Sequence, residues 1–90
     1  MMPIVVCEVG PRDGLQNHPR HFEVAERVEL IDRLSAAGLR RIEAVSFVND
    51  QKVPRMAGAE AVLDSIRRPP GTLFSGLVLN GRGVDRALGC

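Results

Sequence analysis

Apolar positions along the chain fall into three short blocks, separated by two longer stretches with helical spacing. The first block, Ile4 to Val9 (IVVCEV), is rich in β-branched residues and stops at Gly10-Pro11, the signature of a strand and its end. The second is Arg41 to Val48 (RIEAVSFV). The third is Thr72 to Leu79 (TLFSGLVL), which ends at Asn80-Gly81. Between the first two blocks, Val24, Val28, Ile31 and Leu34 recur every three or four residues, and Leu30 and Ala37 widen the stripe. This spacing predicts a helix over 22–37. Glu26, Arg27, Glu29 and Arg33 fall on its polar side, and Gly38 suits a left-handed C-terminal cap. A second helix is predicted over 58–67, with Ala59, Val62, Leu63 and Ile66 on its apolar face; Pro69-Pro70-Gly71 prevents its continuation. A third helix is predicted to begin near Gly83 and to break off at Gly89.

The order strand, helix, strand, helix, strand, helix start predicts parallel strands with crossover helices. The strands lack strict polar alternation, which fits burial on both faces. Two α/β architectures contain such a βαβαβ unit. One is half of a doubly wound nucleotide-binding sheet. The other is the N-terminal portion of a TIM (β/α)8 barrel, which needs about 250 residues, so a chain of 90 residues would hold only part of it. Residues 1–90 then form one partial barrel domain of three strand-helix units, with open strand edges. The missing remainder of the barrel, or self-association, is the expected partner of those edges.

Composition narrows the function classes. Apolar residues make up 44% and charged residues 26%, with net charge +1 and no basic run, which speaks against a nucleic-acid partner. The aromatic residues are three Phe, too few for a base-stacking platform. Cys7 and Cys90 are far apart and match no zinc-like spacing; a reducing, cytoplasmic setting fits them. Cys7, inside the first strand, reads as a small buried hydrophobe. No stretch approaches the ~18 apolar residues of a membrane span. The opening MMPIVV runs straight into the first apolar block without a presequence pattern.

The loop after the first strand reads Glu8-Val9-Gly10-Pro11-Arg12-Asp13-Gly14-Leu15-Gln16-Asn17. In parallel α/β folds, functional side chains gather at the C-terminal ends of strands. An Asp there is a hard oxygen ligand for Mg²⁺ or Mn²⁺. The neighbouring Arg keeps its charge and presents a fork of donors. Together they suit an oxyanion held between a cation and a guanidinium; the alternative for an isolated Arg-Asp pair is a structural ion pair. Glu43 shares a strand face with Val45 and Phe47 by two-residue periodicity. A carboxylate on so apolar a strand needs a donor, either Arg12 or a metal shell inside, or Arg40 or Arg41 outside. Gln16 is a candidate for positioning substrate or for stabilising the loop. Asn80, at the end of the third strand, is a candidate substrate contact or a turn residue before Gly81. Glu8 suits a buried structural hydrogen bond, Ser46 either lines the site or merely packs, and His18 and His21 fall in an exposed loop.

The string EVGPRDGLQN resembles the signature of 3-hydroxy-3-methylglutaryl-CoA lyases. The resemblance continues through LIDRLSAAGLRRIEAVSFV at residues 30–48 and Lys52-Val53-Pro54-Arg55-Met56. Gly-Pro before Arg12 and Leu-Gln-Asn after Gly14 resemble this lyase branch. Related isopropylmalate and homocitrate synthases usually carry Thr-Leu-Arg-Asp-Gly-Glu-Gln there. The resemblance implies a TIM barrel that cleaves 3-hydroxy-3-methylglutaryl-CoA into acetyl-CoA and acetoacetate with Mg²⁺ or Mn²⁺, a reaction of leucine degradation. It also implies a metal ligand at Asp13, a catalytic and substrate-binding role for Arg12 on the enolate oxygen, and a catalytic carboxylate at Glu43. An acyl-CoA would be the substrate partner, with Gln16 and Asn80 as further substrate contacts.

The family's later metal ligands, a His-x-His pair and an Asn, have no counterpart in these residues. Nor does its Gly-Cys loop. The 90 residues alone are therefore expected to bind metal weakly and to lack turnover. Two alternatives remain. One is another Claisen-type enzyme of the same scaffold. The other is a nonenzymatic βαβ binding module built on Gly81-Arg82-Gly83, although Arg86 stands where a third glycine of GxGxxG would fall.

Overall fold

A computed structural model describes residues 4–90; Met1 to Pro3, the residues read above as running into the first strand, lie outside the described residues. The elements are β1 (Cys7–Glu8), α1 (Val24–Ala36), β2 (Arg41–Ser46), α2 (Ala59–Ser65), β3 (Leu73–Leu77) and α3 (Gly81–Leu88). A π-helical turn occupies Gly10–Gly14 and a 3-10 turn Pro54–Met56. The strands form one parallel sheet in the order β1-β2-β3. This is the alternating α/β arrangement that the sequence pattern predicts.

The helical stripe behaves as its spacing dictates. Ile31 is fully buried, and Val24 and Val28 pack against the same cluster. The chain enters α1 with the Glu26 carboxylate accepting the Glu23 N–H at 3.1 Å, half of a capping box. It leaves through Gly38 at φ 97°, a conformation that costs glycine nothing and other residues a steric clash. On α2, Ala59, Val62, Leu63 and Ile66 meet Ala44, Val45 and Phe47 of β2 and its extension. The core is therefore a layer between one face of the sheet and the two helices. Gly76 on β3 makes room for it, since a Cβ there would lie 2.7 Å from the Phe47 ring.

Four expectations are corrected. Arg27 is not on a solvated side of α1 but is 2% exposed; its Nη1 donates to the Ala57 carbonyl at 2.6 Å, across the loop that precedes α2. Burial of both faces holds for β2 alone, because β1 and β3 each pair on one side only and leave residues such as Leu73 exposed. Cys7 is exposed for the same reason. Finally, Glu43, Val45 and Phe47 do not share a face. Glu43 pairs with Ser75, but Val45 pairs with Gly76 and Ser46 with Leu77, so Ala44 is an extra residue forming a β-bulge. Beyond it, Val45 and Phe47 turn to the helix side and enter the core, while Glu43 turns the other way, toward Arg12.

α3 starts two residues earlier than its pattern predicts, at Gly81. Asn80 is the reason: its Oδ1 accepts the Gly83 N–H at 2.9 Å and caps the helix. Arg86 then ties α3 down. It donates from Nε and Nη2 to the two carboxylate oxygens of Glu60, both at 2.7 Å, and from Nη1 to the Val48 carbonyl at 2.8 Å.

Candidate active site

The loop beyond β1 is organised by a single carbonyl. Val9 O accepts the N–H groups of Arg12, Asp13 and Gly14 at 3.1, 2.8 and 3.3 Å. Pro11, fully buried at the head of the turn, has no N–H to satisfy. Glu8 takes the structural role expected of it, accepting the Gly10 N–H at 3.0 Å. This turn packs against β2 and presents Arg12 and Asp13 just past the C-terminal end of β1. π-Turns of this kind concentrate at functional sites.

Arg12 reaches across to β2. Its Nε donates to Glu43 Oε1 at 2.5 Å, and the two side chains are 20% and 19% exposed. Of the partners weighed for Glu43, the structure selects Arg12 over Arg40 and Arg41. The bulge at Ala44 contributes by separating Glu43 from the apolar residues that follow it. Arg12 spends only one donor on this pair. Its Nη1 lies 3.6 Å from Asp13 Oδ1, an ion-pair distance beyond hydrogen-bond reach. Its Nη groups thus remain able to donate to an oxyanion.

Asp13 is 55% exposed. Asn17 fastens it, donating from Nδ2 to the Asp13 carbonyl at 2.9 Å and to Oδ1 at 3.3 Å. The carboxylate is a hard oxygen donor suited to a divalent cation. Among the described residues, no group of three or more His, Cys, Asp or Glu converges to hold one, so Asp13 fits as a single ligand and not as a site. His18 and His21 are exposed, and His18 Nδ1 accepts the Arg20 N–H at 3.0 Å.

Gln16 is half-buried, and its Oε1 is buried without a hydrogen-bond partner. It is an acceptor facing the protein with nothing to accept from. Asn80 spends its Oδ1 on the α3 cap and also lines a cleft of about 780 Å³ between the β2–α2 and β3–α3 loops, together with Phe47, Lys52, Arg82 and Arg86. Arg12, Asp13 and Glu43 do not line this cleft.

Sequence reasoning missed Asn17, Arg27 and Arg86 and left Ser46 undecided. Asn17 was detectable, because it stands four positions after Asp13, the spacing at which helical side chains meet. Ser46 was left as either lining or packing; it is fully buried and its hydroxyl is unpartnered. Arg27 and Arg86 gave no signal, since their partners lie 26 to 38 residues away. Burial pushes the Arg27 pKa below the usual arginine value, with Asp50 acting in the opposite direction. Hydrogen bonds from Arg86 hold the Glu60 carboxyl below the usual range against a smaller opposing effect of burial, and the same bonds raise Arg86.

The chain is similar to known proteins. The chain is 51% identical over 83 residues to a 3-hydroxy-3-isohexenylglutaryl-CoA/hydroxy-methylglutaryl-CoA lyase of Pseudomonas aeruginosa, which covers 92% of this chain and 28% of that protein. It is 43% identical over 97 residues to an (R)-citramalyl-CoA lyase of Chloroflexus aurantiacus, covering 97% of this chain and 31% of the relative. The crystal structure of hydroxymethylglutaryl-CoA lyase from P. aeruginosa superimposes with a TM-score of 0.93 at 48% identity, over 96% of this chain and 29% of that one. The chain thus spans under a third of the length of these relatives, and its fold is the N-terminal βαβαβ portion of their TIM barrel. The family model for HMGL-like proteins matches residues 3–78, a span that holds the Arg12 turn, Glu43 and all three strands, and the chain belongs to the HMGL-like family.

Proposed function

We propose that this chain supplies the enolate-stabilising part of a lyase that cleaves 3-hydroxy-3-methylglutaryl-CoA into acetyl-CoA and acetoacetate. The observation that carries the reading is the Arg12–Glu43 pair, in which a single Nε contact fixes the guanidinium and leaves its Nη donors uncommitted. In the reaction the C2–C3 bond breaks. The 3-hydroxyl loses its proton and becomes the ketone of acetoacetate. The bonding electrons pass to the thioester as an enolate, and protonation at C2 gives acetyl-CoA. Arg12 donates to the enolate oxygen, where charge grows as the bond breaks. Glu43 orients Arg12. Gln16 and Asn80 contact the substrate from the flanking loops.

Asp13 holds a divalent cation, Mg²⁺ or Mn²⁺, through its carboxylate. When bound, that cation supplies Lewis-acid stabilisation of oxygen charge. Further ligands would come from the remainder of a barrel seated on the open edges of β1 and β3; a second copy could cover those edges but brings only the same residues. The 90 residues on their own bind metal weakly and do not turn over. An acyl-CoA is the substrate partner, with no nucleic acid or membrane involved. No helix among the described residues is long and apolar enough to cross a membrane, and we place the reaction in the cytoplasm, in leucine degradation. A second reading keeps the chemistry and changes the acyl group, and the likeness to a citramalyl-CoA lyase favours it.

The test is the full gene product incubated with Mg²⁺ and, in separate reactions, 3-hydroxy-3-methylglutaryl-CoA and citramalyl-CoA. Equal amounts of acetyl-CoA and acetoacetate are expected from the first. Cleavage of citramalyl-CoA alone selects the second reading, and cleavage of neither overturns both. Acetoacetate release by the isolated 90 residues overturns the view that they need a complement.

A further inference from the structure

Ser46 closes β2 and is fully buried, yet its hydroxyl has no hydrogen-bond partner. Size does not explain a serine there. Alanine would fill nearly the same space without burying an unsatisfied polar group, which is costly in a protein interior.

The sheet register fixes which way Ser46 faces. Glu43 pairs with Ser75 and Ser46 with Leu77. Ser75 and Leu77 are two apart on one strand and therefore share a face. Ser46 accordingly shares the face of Glu43, one step nearer the catalytic end, although three residues separate them. Without the extra residue at Ala44 it would face the helices. Bulges re-aim side chains in this way beside functional sites. On that face Glu43 commits Oε1 to Arg12, and among the described residues Oε2 has no hydrogen-bond partner. A buried donor without an acceptor thus neighbours, on the same strand face, a carboxylate with an oxygen to spare.

We infer that Ser46 is a positioning residue: its hydroxyl donates to the spare oxygen of the Glu43 carboxylate and holds that carboxylate against the Arg12 Nε while the Nη groups of Arg12 engage the substrate's enolate oxygen. As the enolate oxygen draws on the charge of Arg12, its hold on the largely buried Glu43 carboxylate weakens, and the Ser46 donor offsets that loss. Serine needs only a rotation about its Cα–Cβ bond to do so, and requires no solvent or substrate access. The inference rests on the lyase reading above.

The experiment compares Ser46→Ala and Ser46→Cys with wild type in the full gene product, using whichever thioester the wild type cleaves. Both variants should lower kcat about tenfold, the worth of one hydrogen bond to a charged group, and leave KM unchanged. Unfolding temperature should stay the same or rise. Wild-type kcat in both variants would overturn the inference while leaving the lyase reading intact. Parallel loss of unfolding temperature and KM in both variants would also overturn it, by assigning the hydroxyl to the fold. If the wild type cleaves neither thioester, the lyase reading fails and this inference fails with it.

Discussion

Two arginine–glutamate pairs stand at the same end of this molecule and do opposite things. Arg86 and Glu60 meet through two bonds of 2.7 Å, and Arg86 also reaches the Val48 carbonyl, Asp50 and the face of the Phe47 ring, 5.7 Å from its centroid. Four of its five N–H donors are spent, two of them in the bidentate geometry that makes such pairs strong. Arg12 and Glu43 meet through a single bond, and the remaining donors of Arg12 are uncommitted. A saturated pair fixes helices and loops in place. An unsaturated pair is a site held ready for a third party. Counting partners separates the two roles where residue type alone does not.

The strongest way to break this comparison is to remove Arg12. Arg12→Ala should lower kcat/KM for thioester cleavage by about 10²–10³, the usual loss for one oxyanion donor, and cost less in urea unfolding than Arg86→Met, since it leaves one carboxylate, Glu43, without its donor; steady-state kinetics and urea unfolding decide it together. Arg86→Met should do the reverse. It leaves Val48 O, Glu60 and Asp50 without their donor, which should cost about 2 kcal/mol in urea unfolding, with kcat/KM near wild type. A large kinetic defect in Arg86→Met would erase the distinction. A double-mutant cycle on Arg86→Met and Glu60→Gln sharpens it further. The coupling should be about 1 kcal/mol, since Glu60 is half exposed and solvent screens the pair; zero coupling would mean that the Val48 and Asp50 contacts hold α3 without Glu60.

The smallest expected effect is on acid stability. Glu60 has a folded pKa below its unfolded value, chiefly through the Arg86 hydrogen bonds. Its contribution is therefore complete above the unfolded value of ~4.3 and is lost as pH falls through the folded one. Glu60→Gln should flatten the fall of stability with pH in that window. A slope identical to wild type would show that other carboxylates govern the acid transition.

Much of the fold was legible because its causes are local. The Val24-Val28-Ile31 stripe and the Gly38 cap specify α1 within a single stretch of chain. The strand-helix alternation likewise specifies a parallel sheet, and Gly-Pro-Arg-Asp-Gly marks the turn that presents Arg12 and Asp13 at the end of β1. What escaped the sequence depends on distant partners. Arg27 sits among polar residues on its helix, and only the Ala57 carbonyl, 30 positions away, gives it a buried role. The choice of Arg12 for Glu43 needed the turn hung on Val9 O. Ser46 could not be oriented at all, because its direction depends on how β2 lies against β3.

The extra residue at Ala44 has a consequence for how this strand can be read or edited. It changes the parity of the strand. Before it, odd-numbered positions look toward Arg12; after it, even-numbered ones do. One amino acid therefore exchanges inside for outside over the last part of β2 without altering composition or hydrophobicity. A deletion at that point would be among the smallest edits a gene can suffer, and it would readdress every side chain from Val45 onward. The rule that successive residues alternate is in this sense a counter, and the chain resets it just before the strand reaches its C-terminal end.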